Sequence, residues 1–120
     1  MLYANKFKAL AFALLCGEAF AGVSWTTVQP VILVGSEECS SGPAVHYFTL
    51  KGENYTNGGV TNPRAFYFYD NIGLKNDWLS KLATAKVSGL KVQVLYSNDA
   101  STPGCALNPG FKVSGLQLMD

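Results

Sequence analysis

One stretch of this 120-residue chain, residues 76–88, carries helical periodicity, and it stands among five stretches patterned as strands. Trp78, Leu82 and Ala85 fall at i, i+4 and i+7 with Leu79 beside them. Asn76 or Asp77 can cap the start and Gly89 the stop, so one helix of about three turns is expected. Before it, residues 26–34 (TTVQPVILV) are rich in β-branched side chains. Pro30 marks an edge position or a bulge there, because its ring removes a ladder donor. Residues 44–50 (AVHYFTL) read as a second strand, joined to the first by the polar cluster 37–43 (EECSSGP). In residues 65–69 (AFYFY), Phe66 and Phe68 alternate with Tyr67 and Tyr69, giving a strand with one dry face and one face whose hydroxyls reach water. A long connection over residues 52–63 (GENYTNGGVTNP) is expected to precede it. After the helix, residues 91–96 put Val92, Val94 and Tyr96 on one face, and residues 112–119 close the chain with Gly115 as a bulge.

The order is therefore β-β-β-α-β-β, which is that of a mainly β, five-stranded OB-fold barrel. In such a barrel the loop between strands one and two and the loop between strands four and five approach each other on the ligand-binding side. Cys39 lies in the first of these loops and Cys105 in the second. A disulfide needs Cα atoms within about 7 Å, which this placement satisfies.

The first 21 residues read as a cleavable secretory leader. Lys6 and Lys8 precede the uncharged stretch 9–17, and Ala19-Phe20-Ala21 gives a small-x-small cleavage pattern before Gly22. The apolar stretch is short of the ~20 residues that cross a bilayer, and no later segment approaches that length. The expectation is a secreted or periplasmic domain over residues 22–120, not an integral membrane protein. Cys16 follows Leu15, whereas a lipid-attachment cysteine follows a small residue. With Cys16 removed, Cys39 and Cys105 remain in an oxidising compartment, where a pair is normally bridged. Two cysteines so far apart, with His46 the single histidine, do not make a zinc site, and no cofactor is expected. Seven basic and seven acidic residues remain after the leader. Such a balance lacks the electrostatic term that dominates nucleic-acid affinity, so no nucleic-acid partner is expected.

Tyr47-Phe48 followed by Leu50-Lys51, the aromatic-led helix with Trp78, Leu82 and Ala85, the Gly89-x-x-Val92-x-Val94 step and the closing Val113-Ser114-Gly115-Leu116 occur in a shared order. In this the chain resembles the receptor-binding B subunits of AB5 toxins of the subtilase-cytotoxin and typhoid-toxin type, over about three quarters of the residues after the leader. The resemblance implies a secreted, non-enzymatic OB-fold subunit that assembles into a ring of five, recognises cell-surface glycans and accompanies a toxic A subunit. The pattern departs at Thr49, where such subunits often have a cysteine whose partner falls in the strand of Phe66 and Tyr67.

For a ligand, Tyr47, Tyr67, Tyr69 and Trp25 offer aromatic faces on which sugar rings or bases stack. Ser36, Glu37, Asn98, Asp99 and Ser101 flank the expected disulfide and offer hydrogen bonds to sugar hydroxyls. Nucleophile motifs are absent, and His46, flanked by Val45 and Tyr47, reads as a structural or surface imidazole. Glu37 and Glu38 are adjacent in a loop and do not read as the paired carboxylates of a glycosidase. Asn54-Tyr55-Thr56 matches a glycosylation acceptor. Two other functions compete with the toxin-like reading. One is an OB module that binds a protein partner or inhibits it. The other is a small secreted hydrolase, which requires His46 and a carboxylate to converge in a pocket.

Overall fold

The computed structural model describes residues 22–103 and 109–119; the expected leader, its cleavage after Ala21, and Cys105 lie outside the described residues. Over the described residues the chain is mainly β with one helix. Its elements are β1 (Val23–Trp25), β2 (Gln29–Glu37), β3 (Val45–Leu50), β4 (Asn54–Asn57), β5 (Val60–Pro63), β6 (Phe66–Tyr69), α1 (Lys75–Ser88), β7 (Lys91–Ser97) and β8 (Phe111–Met119). Pairing runs from β2 through β3, β6 and β8 to β7, which pairs with β2 again, a closed cycle. Within it only β6–β8 is parallel.

β2 closes the cycle because it changes partner. Gln29 and Pro30 pair with β7, whereas from Val31 onward the strand pairs with β3. Ile32 is an extra residue between the pairs Val31↔Leu50 and Leu33↔Thr49, so Pro30 and a bulge sit together at the switch. The single first strand expected over residues 26–34 is divided in consequence. β1 pairs separately with the far end of β7, from Val23↔Ser97 to Trp25↔Leu95. At the bend between β1 and β2, the buried Thr26 replaces ladder bonds. Its N–H donates to the Val94 carbonyl at 2.8 Å, and its hydroxyl accepts from the Val94 N–H at 3.0 Å. A hydroxyl can substitute there for a backbone partner, which propensity alone does not reveal.

The long connection expected over residues 52–63 is instead a hairpin of β4 and β5, with Asn57↔Val60 as its last pair. Gly58 and Gly59 both have positive φ, +61° and +82°, as a two-residue primed turn requires. The bulge at Gly115 is present: Leu95↔Gly115 is followed by Tyr96↔Val113, leaving Ser114 as the extra residue.

Phe48, Phe66, Phe68, Leu50, Val92, Val94 and Leu116 fill the interior, and α1 covers them with Trp78, Leu82 and Ala85. Trp78 meets Phe68 edge-on, centroids 5.2 Å apart. The helix begins differently from expectation. Its N-cap is Leu74 without a side-chain cap, so Asn76 and Asp77 lie in the first turn, where Asp77 pairs with Lys81 at 2.9 Å. Gly89 ends it as expected, at φ +77° with its N–H on the Ala85 carbonyl. Among the described residues, no helix is long and apolar enough to cross a membrane.

Candidate functional site

Residues directly opposite in an antiparallel pair share a face, and i, i+2 neighbours along a strand share it too. Phe48↔Phe66 and His46↔Phe68 therefore share the core side of the sheet, while Tyr47↔Tyr67 and Val45↔Tyr69 share the outer side, on which Val45 and Tyr67 are themselves buried. Glu37 opposite Val45 and Gly35 opposite Tyr47 extend the outward face onto β2, and Lys112 beside Tyr67 extends it onto β8. Tyr47, Tyr67, Tyr69 and Glu37, scattered in sequence, thus share one surface. Tyr67 and Tyr69 meet edge-on at 5.8 Å, and the Lys112 ammonium lies 5.8 Å from the Tyr69 ring centroid.

Tyr67 departs from the expectation of a solvated hydroxyl. It is 4 % exposed, and its hydroxyl shares a 2.6 Å hydrogen bond with Ser101. The chain crosses it at the Ser101↔Gly110 bridge. Gly110 permits that crossing, since a Cβ there would stand 3.0 Å from both the Tyr67 ring and the Ala65 carbonyl. Tyr47 and Tyr69 remain half-buried. Gly35 lies under the end of the Tyr47 ring, where an added Cβ would come within 2.6 Å. Gly35→Ala is therefore expected to displace a ring that can swing outward, at a cost of about 1 kcal/mol. Thermal unfolding with NMR of the Tyr47 ring checks this; unaltered ring resonances would contradict it.

Ser36 points to the opposite side of the sheet from Tyr47, where it meets His46, its cross-strand partner. Ser36 Oγ lies 2.7 Å from His46 Nδ1, and His46 Nε2 lies 2.8 Å from Asp70 Oδ1. Lys75 at the start of α1 holds the same Asp70 oxygen at 3.2 Å. His46 also tilts against Phe68, centroids 5.3 Å apart. The imidazole is thus neither alone nor solvated, with a side chain 12 % exposed against 44 % for Asp70. Hydrogen bonds from His46 and then Lys75 hold the Asp70 carboxyl below its ordinary pKa. The folded state therefore releases the Asp70 proton more readily than the unfolded chain. Its contribution to stability is full above the ordinary carboxylate value, about 4, and is lost as pH falls through the lowered one. The stability gap between wild type and Asp70→Asn is expected to shrink below about pH 4, as followed by urea unfolding. A gap unchanged between pH 6 and pH 2 would contradict the pairing.

The other candidates are dispersed. Asn98 clamps β1 to β7, accepting from the Ser24 hydroxyl at 2.6 Å and donating its N–H to the Gly22 carbonyl at 2.8 Å. Asp99 is exposed beside it, with its N–H near Ser97 Oγ. Trp25 stands opposite Leu95, 3.7 Å from where a Gly115 Cβ would be. Asn54 is exposed at the start of β4. Cys39 is disulfide-bonded.

A cleft of about 490 Å³ opens between the β4–β5 hairpin and the chain near Ala100 and Pro109, lined also by Tyr55, Asn62, Arg64 and Phe111. The Arg64 guanidinium lies 4.9 Å from the centroids of both the Tyr96 and Phe111 rings, and it donates to the Tyr96 hydroxyl at 2.7 Å. Glu53 anchors it at 3.4 Å and also accepts from the Thr27 hydroxyl at 2.7 Å. Arg64 and Asp70 escaped the sequence reading. Asp70 continues the inward parity of Phe68, so the β3–β6 register would have placed it by His46; Arg64 carried no comparable signal.

No family model, curated protein or solved structure matches the chain.

Proposed function

We propose that this chain is a five-stranded OB barrel working as a secreted binding subunit, with a cell-surface glycan as its ligand. The observation that carries the reading is the cyclic strand order with β6–β8 alone parallel, α1 between β6 and β7, and tyrosines outward on β3 and β6. In OB modules the face of the second and third strands, bounded by the first and last long loops, is where oligosaccharides and oligonucleotides bind. Here those strands are β3 and β6, whose outer side carries the half-buried Tyr47 and Tyr69, with the buried Tyr67 packed between them and the covering chain. Tyr47 and Tyr69 supply ring faces for a sugar's C–H surface, while Glu37 and Lys112 supply polar contacts at the rim.

Assembly of several copies belongs to the same reading. Ile32, Leu33 and Val34 are 51 %, 45 % and 40 % exposed in succession, on a stretch of β2 that has left β7. An exposed apolar strand edge without charges is a template for pairing with another chain. The ring of five and the toxic A subunit rest on the family resemblance.

A glycan array probed with the purified chain tests the proposal. Retention of a defined set of glycans is expected, weakened at least about tenfold by Tyr69→Ala or Tyr47→Ala. Binding untouched by both substitutions, or no glycan retained by a folded chain, would overturn it.

A further inference from the structure

Ser36, His46 and Asp70 form a hydrogen-bonded relay on the side of the sheet away from the tyrosines. An ionised carboxylate only accepts hydrogen bonds, so Asp70 fixes the His46 proton on Nε2 and leaves the Nδ1 lone pair toward Ser36. The Ser36 hydroxyl then donates to Nδ1 across 2.7 Å, the arrangement in which a base can take its proton. Phe68 buttresses the ring and Lys75 holds Asp70, so three elements and the start of the helix fix the constellation. Ser36 itself is exposed, and an electrophile can reach its oxygen.

We infer that Ser36 is an activated nucleophile and that its rim hydrolyses small, neutral carboxylic esters. Serine–histidine–aspartate sites are defined by geometry and role and not by chain order, and here the two ring nitrogens exchange their usual partners. The Asp70 carboxylate offsets the Lys75 ammonium beside the relay, which leaves little positive charge there to attract phosphate esters and other anions. His46 and Asp70 converge on an exposed rim and not in the cleft lined by Tyr55, Arg64 and Phe111, and the open position admits a small acyl group such as acetyl. In the first half-reaction Ser36 Oγ bonds to the ester carbonyl carbon while its proton passes to His46 Nδ1. The carbon–oxygen bond to the alcohol then breaks, and the alcohol leaves with that proton. Water repeats the sequence on the acyl-serine, giving the carboxylic acid and restoring Ser36–H.

The activity goes beyond glycan recognition and can fail alone, because the tyrosine face lies on the other side of the sheet. The test uses the full chain with a fluorophosphonate probe, mapped by peptide mass spectrometry, and p-nitrophenyl acetate as substrate. One adduct on Ser36 is expected, absent in Ser36→Ala. His46→Gln should slow labelling about 100-fold or more, and Asp70→Asn should slow it while Asp70→Glu restores part of the rate. Circular dichroism establishes that each variant is folded; since Ser36 is exposed, Ser36→Ala remains informative if His46→Gln is not. A folded wild type that takes no label at Ser36 would overturn the inference. Labelling spread equally over Ser36, Ser40 and Ser41, or unaffected by His46→Gln, would do the same.

Discussion

Phe48→Ala is expected to remove about 3–5 kcal/mol of stability, enough to bring a domain of this size close to unfolding at physiological temperature. Phe48 is fully buried, on the strand between β2 and β6. Its ring stacks on Phe66 at 5.4 Å and meets Phe68 at 6.5 Å, and Phe68 in turn meets Trp78 of the helix. Truncation therefore opens a void at the point where the sheet and helix share contacts, and neighbouring strands held by ladder hydrogen bonds cannot close it. Urea unfolding of wild type and variant measures the loss. A change under 1 kcal/mol would mean that the interior collapses around the site and that Phe48 is not a central packing residue.

The second large effect is expected at Cys39, which is disulfide-bonded at the start of the β2–β3 connection. Cys105 is the partner expected from the cysteine count, closing a loop of 67 residues. Cys39→Ser should cost about 4 kcal/mol, because the unfolded chain regains the freedom the crosslink removes. Reduction of the wild type should cost the same. Non-reducing peptide mapping should recover Cys39 joined to Cys105; Cys39 on any other partner, or stability insensitive to reductant, would contradict this account.

Strand placement was largely legible because it depends on period-2 burial. Val92, Val94 and Tyr96 are buried as their alternation requires, the Gly89 stop follows from a positive φ that glycine adopts readily, and the bulge falls beside Gly115. The β4–β5 hairpin was not legible as strands, because NYTN and VTNP are polar, mostly exposed and held mainly by their Gly58-Gly59 turn. The burial of Tyr67 is not legible for a different reason: period 2 assigns a face and not what covers it. The site shows the same division. Tyr47, Tyr67 and Tyr69 could be placed on one face from alternation, whereas the relay of Ser36, His46 and Asp70 depends on cross-strand register. A one-residue slip would reverse every inward and outward assignment, and register is set by pairing that no single strand encodes.

The central claim is that the outward tyrosine face of β3 and β6 is the recognition surface. Backbone NMR shift mapping, with the array's most strongly retained glycan titrated into labelled protein, tests it directly. The account predicts the largest perturbations at Tyr47, Tyr69, Glu37 and Lys112. Perturbations concentrated at Tyr55, Asn62, Arg64 and Phe111 would contradict it and assign recognition to the cleft beneath the hairpin.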